Sequence, residues 1–208
     1  MNEREIQKAY DSFLNVMKAK LGKDSSEYKS YCDFYKQDFE AGLQVARRNE
    51  KISIEGDRIL IREINLEDVP FCGKVECEVA NAPYVAHWPD GLRIAMLGNP
   101  DLMQFIIADK KQTPLGLLIF KNMLHKEEKV ELKRIVLTQK DKGYGKEALY
   151  LAQKLAFEVF QTQCLYLTTK PENTRAQAIY QKTGFLADMP EPCTSYHLDR
   201  ETYYMRKR

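Results

Sequence analysis

The run Glu131-Leu-Lys-Arg-Ile-Val-Leu-Thr-Gln-Lys-Asp-Lys-Gly-Tyr-Gly-Lys146 constrains this chain more than any other. It starts as a strand: Ile135, Val136 and Leu137 are apolar and β-prone, and Glu131, Lys133, Ile135 and Leu137 share a face by period two. Polar residues break it, Gly143 and Gly145 follow, and a helical pattern begins at once. A strand, a glycine turn and a helix N-terminus together make an anion site. Uncapped backbone N–H groups converge there, the helix dipole favours negative charge, and glycine lets a phosphate approach.

The two best-known phosphate turns do not fit. A P-loop needs G-x-x-x-x-G-K-[ST], and here both the spacing and the magnesium-binding hydroxyl are missing. A dinucleotide turn needs a third glycine where Ala148 stands. A second strand, Cys164–Thr169, follows, and then Lys170-Pro-Glu-Asn-Thr-Arg-Ala-Gln-Ala-Ile-Tyr-Gln-Lys-Thr-Gly-Phe185.

Lys142-Gly-Tyr-Gly145 together with Asn173-x-Arg-Ala-x-x-x-Tyr-x-Lys-x-Gly-Phe185, in this order and separation, resembles the GNAT superfamily of acetyl-CoA-dependent N-acetyltransferases. Within it the chain resembles the branch of the ribosomal-protein N-terminal acetyltransferases. The resemblance covers about residues 58–208. It implies an α/β (α+β) fold with a mixed, mostly antiparallel sheet and a central parallel strand pair that splays apart. Acetyl-CoA is the implied co-substrate, and no metal is implied. The backbone of Ile135, Val136 and Leu137 would pair with the pantetheine, and Lys140, Lys142, Gly143, Tyr144, Gly145 and Lys146 would hold the diphosphate. Lys140 stands where the family has glutamine or arginine. Asn173 would hydrogen-bond the cofactor and Lys182 would reach its outer phosphate. Tyr180 falls at the family's tyrosine near the coenzyme sulfur, a candidate general acid, and Glu131 is the candidate general base acting through water. Residues 71–97 would form the acceptor wall. Glu76, Glu78 and Asp90 could attract a cationic amine there, Trp88 could line it, and His87 and His125 compete as bases.

The first fifty residues lie outside the resemblance. Ile6, Tyr10, Phe13, Leu14, Met17 and Leu21 mark an amphipathic helix over 2–22. Asp24-Ser-Ser-Glu27 reads as a capping box opening a second helix, with Tyr28, Tyr31, Tyr35, Phe39 and Leu43 as its stripe. The two should pair antiparallel and bury their aromatics against each other or the rest of the chain. The same stripe would also serve a partner or a homodimer. We place a boundary near residue 50, with a helical extension over 1–50 and a catalytic domain over 51–208.

Further along, strands are expected at 52–54, 58–64, 103–108, 115–120, 185–186 and 203–206, and helices at 65–80, 93–97, 144–160 and 173–182. The net charge of +2 gives no argument for nucleic acid or an anionic membrane. Five scattered cysteines without a CxxC pair suit a reduced, cytoplasmic protein. No apolar run reaches a membrane span. The expected activity is acetyl transfer to a primary amine, on a small molecule or a peptide, by direct attack in a ternary complex. Two other readings stay open on the sequence: a non-catalytic acyl-CoA-binding module, and an interaction protein working through its N-terminal helices.

Overall fold

The computed structural model describes residues 1–21, 26–187 and 202–207. The element order is α1 (Glu3–Leu21), α2 (Ser26–Arg47), β1 (Ser53–Glu55), β2 (Ile59–Glu63), α3 (Val69–Cys77), α4 (Asp90–Leu97), β3 (Leu102–Asp109), β4 (Pro114–Lys121), β5 (Lys129–Leu137), α5 (Tyr144–Lys154), β6 (Cys164–Thr169), α6 (Thr174–Lys182), β7 (Leu186–Ala187) and β8 (Thr202–Lys207). The strands form one sheet in the order β1-β2-β3-β4-β5-β6-β8-β7. β3, β4 and β5 form an antiparallel meander, and β5 and β6 pair in parallel, as a helical crossover requires.

Both faces of the sheet are buried, which explains why its strands read as continuous apolar runs. Ile59, Ile61, Phe105, Ile107, Leu118 and Phe120 face one core, which α5, the turn after it and α6 cover through Ala148, Leu151, Leu155, Ala156 and Tyr180. The intervening Leu60, Ile106, Ala108, Leu117, Ile119 and Val136 face the opposite core. There α3 and α4 contribute Val69, Cys72, Val75, Ile94 and Leu97.

The N-terminal helices close that second core. Ile6, Phe13, Tyr35, Phe39 and Ala46 belong to it. Tyr10 stacks on Tyr35 at 5.5 Å between centroids, and Phe13 lies 4.6 Å from Tyr35. Both helices sit very close to α4. A Cβ on Gly42 would lie 1.7 Å from the Ile94 carbonyl oxygen, and one on Gly91 would lie 2.4 Å from that of Ala9. The expected cap at Asp24 and the loop over 190–200 fall outside the described residues.

Three elements differ from the sequence reading. The helix expected over 65–80 is a 3₁₀ turn, Leu66–Asp68, followed by α3, which ends at Cys77. Asn81 stops it by donating its Nδ2 to the Val75 carbonyl at 2.8 Å, so the chain turns where apolar periodicity would have carried it on. α4 begins at Asp90, three residues before the start expected at 93. The helix expected to run to Phe160 changes to a π-turn over Leu155–Val159. The wider turn brings Leu155, Ala156 and Phe160 into the core together. Among the described residues, no helix is long and apolar enough to cross a membrane.

Candidate active site

β5 and β6 begin as neighbours and then part. Their pairing runs Lys129↔Cys164, Val130↔Leu165 and Glu131↔Tyr166, and stops there. Beyond it β5 stays bonded to β4, while β6 continues on β8. Thr138 N donates to Leu115 O at 2.8 Å, so Thr138 faces β4. Strand alternation therefore turns the backbone of Leu137 and Ile135 to the open edge. A cavity of about 880 Å³ fills the gap. Its walls are Leu132–Leu137, the turn into α5, residues 168–170, the start of α6, and most of the loop 79–86.

The turn at the cavity's end is built around Gly143, at φ +79°. Among the described residues no side chain caps α5, and its first amides have no intrahelical acceptor. Arg58, from the chain before β2, braces this turn from outside. Its Nη1 donates to Lys142 O at 2.9 Å, and its guanidinium lies 5.1 Å from the Tyr144 ring centre. A Cβ on Gly143 would come within 3.0 Å of Arg58 Nη2. Glu147 holds Arg58 in turn, accepting its backbone N–H at 2.8 Å and its Nε–H at 3.0 Å, and also the Ile59 N–H at 3.2 Å. Partial burial alone would raise the Glu147 pKa, but these hydrogen bonds outweigh it and hold the carboxyl below its ordinary value.

Of the residues marked in the sequence, Ile135, Val136, Leu137, Lys140, Gly143, Gly145, Lys146, Asn173 and Tyr180 line this cavity. Tyr180 is 8% exposed, and its ring lies 6.1 Å from Phe185. Asn173 caps α6, accepting from Ala176 N at 3.3 Å, while also standing on the wall. Lys142, Tyr144 and Lys182 are not on the wall: Lys142 and Lys182 are exposed and the Tyr144 ring rests against Arg58. Glu131 sits at the last paired rung, 8% exposed, with Lys133 Nζ at 3.4 Å, one residue before the wall begins at Leu132.

Glu76 departs from its reading as an amine attractor. It is 1% exposed. Its Oε1 takes Arg93 Nη2 at 2.5 Å and also Arg134 Nη1, and its Oε2 accepts the Trp88 N–H at 2.9 Å. Both guanidiniums flank the Trp88 ring, at 5.5 and 4.7 Å. This carboxylate neutralises buried arginines and is not open to an acceptor. His87 contacts the same group, its Nδ1 3.5 Å from Glu76 Oε2.

Several wall residues carried no sequence assignment. Arg134 and Arg175 line the cavity, as does Lys170, whose Nζ crosses to Pro83 O at 2.6 Å. Asn81, 4% exposed, donates its Nδ2 to Leu137 O at 3.2 Å. Arg175 lies inside the recognised motif and could have been read from it. Arg134 and Lys170 stand in the two runs quoted for the site, whereas Asn81 is joined to Leu137 across 56 residues, which no local pattern reports.

Anchored backbone donors, an open strand edge and a cavity lined by Lys133, Arg134, Lys140, Lys146, Lys170 and Arg175 against Asp141 and Glu172 suit a long polyanionic ligand with amides along its length. A family profile described as an acetyltransferase (GNAT) domain matches residues 58–186. The chain belongs to the GNAT acetyltransferases. It is an acetyl-CoA-dependent acyltransferase.

Solved GNAT structures share the fold. An acetyltransferase (GNAT family) from Bacillus anthracis superposes with TM-score 0.61 at 18% identity, over 75% of this chain and 98% of that one. Spermidine N-acetyltransferase from Vibrio cholerae, solved with CoA and spermine, gives 0.60 at 16%, over 72% and 95%. A candidate ribosomal-protein-serine acetyltransferase from Vibrio cholerae gives 0.59 at 17%, over 76% and 98%. No curated protein matches the sequence. Acetyl-CoA fits what is present: Gly143 keeps the turn open where a side chain would strain it, and the cationic wall meets the anionic end.

Proposed function

We propose that this GNAT enzyme acetylates a primary amine, on a peptide N-terminus or a small molecule, by direct attack within a ternary complex. The observation that carries this reading is the parting of β5 and β6 after Glu131↔Tyr166, with the Gly143 turn at the end of the gap. Acetyl-CoA, when bound, supplies the activated acetyl thioester. The amides of residues 143–146 hold the diphosphate, with Lys146 and Arg175 adding charge. The open edge of β5 aligns the pantetheine as an added strand would. Its outward N–H groups stabilise the developing oxyanion.

Tyr180 holds a phenol proton for the departing thiolate. Glu131 acts through a water at the vertex of the gap, since it stands one residue off the wall. The amine enters beside loop 79–86. Among the described residues no cysteine lines the cavity, which favours direct transfer over an acyl-enzyme.

The test is release of free CoA from acetyl-CoA against a panel of amino acids, N-terminal peptides and polyamines. Amine-dependent release with an acetylated product supports the reading. Tight CoA binding, with no release beyond hydrolysis for any amine, contradicts it.

A further inference from the structure

The Leu137 carbonyl lies at the open edge of β5, where an incoming amide would look for an acceptor. Two donors of the protein already hold it: Lys140 Nζ at 2.6 Å and Asn81 Nδ2 at 3.2 Å. A carbonyl oxygen has two lone pairs, so this one is saturated. The two donors are not equally fixed. Asn81 is buried, and its carboxamide also donates to Val75 O at 2.8 Å and accepts from Lys140 Nζ.

Lys140 is a half-buried side chain on the turn, three residues before Gly143. Among the described residues no carboxylate forms an ion pair with it. Burial lowers its pKa and Arg175 pushes the same way, against weaker support from Glu78 and Asp141. The ammonium is held by two neutral oxygens and lacks a counter-charge. A diphosphate on the amides of residues 143–146 would supply one within reach of the lysine stem.

We propose that Lys140 is a specificity-determining residue that closes the slot by occupying the Leu137 carbonyl, and that the cofactor's diphosphate opens it by drawing the ammonium away. The freed lone pair then accepts a pantetheine amide. Thioesters without a diphosphate meet the slot closed. This rests on the reading that the cavity binds acetyl-CoA, and it needs no knowledge of the acceptor.

The experiment is calorimetric titration of CoA and of pantetheine into wild type, Lys140→Met and Lys140→Arg, each checked for folding by thermal melting. Lys140→Met should bind pantetheine about five-fold more tightly, the worth of one competing hydrogen bond. It should bind CoA about ten-fold more weakly, for the lost charge-assisted contact. Lys140→Arg, which keeps charge and donors, should retain the wild-type preference. Equal weakening of both ligands by Lys140→Met would make Lys140 merely structural and overturn the proposal. So would no change in either, or a Lys140→Arg that behaves like the methionine variant. Failure of CoA to bind the wild type would overturn the cofactor reading itself, and this proposal with it.

Discussion

Tyr180 and Glu76 are both buried polar residues, but only Tyr180 lines the cavity. Tyr180→Phe should lower turnover about a hundred-fold with little change in the KM for acetyl-CoA, as loss of a general acid does. Unchanged turnover in steady-state kinetics would remove it from the chemistry. Glu76 is a structural counter-ion for Arg93 and Arg134. Glu76→Gln leaves two buried guanidiniums without their charge partner and should cost about 3 kcal/mol in a urea melt. An unshifted midpoint would mean those arginines are neutralised elsewhere. Glu76 was misread because its spacing places it on α3 near the acceptor region, while its partners come from positions 17 and 58 residues away.

At the scale of elements, the strands and the helix after Gly143 were legible because their patterns are local. Short apolar runs bounded by polar turn residues marked β3 and β4, period two marked β5, and a helical pattern directly after glycine marked α5. What could not be read was tertiary in origin. Asn81 ends α3 by reaching back to Val75, and a π-turn over Leu155–Val159 replaces the end of the expected helix. The brace of Arg58 against Lys142 joins residues 84 apart. The close approach of α2 to α4 is of the same kind: Gly42 reads as an ordinary helical glycine until Ile94 is seen against it. Gly42→Ala should push the two helices apart and destabilise the protein by about 1–3 kcal/mol, despite alanine's better helix propensity. A thermal midpoint equal to or above wild type would contradict this packing.

Across the whole molecule, the sheet separates two cores, and the site lies where one of its strand pairs opens. The helices of the first fifty residues share a core with β2, β3, β4 and α3, so they contribute to stability whatever else they bind. Glu147 links the Gly143 turn to that stability by tying α5 to the start of β2. Its folded pKa lies below its unfolded value of about 4.3. Its contribution is therefore complete above that pH and is lost as pH falls through the folded pKa. Glu147→Gln should be less stable than wild type at pH 7 by about 1 kcal/mol, and the gap should close in acid. A gap that widens as pH falls would reverse the sign and refute the assignment.

The proposed function turns on one placement: a diphosphate on the amides that begin α5, with its pantetheine between β5 and β6. Diffraction from crystals soaked in acetyl-CoA tests it most directly. The diphosphate oxygens should lie about 3 Å from the backbone nitrogens of residues 143–146, and the pantetheine should run along Ile135–Leu137. Ligand density elsewhere on the protein, with the gap unfilled, would contradict it.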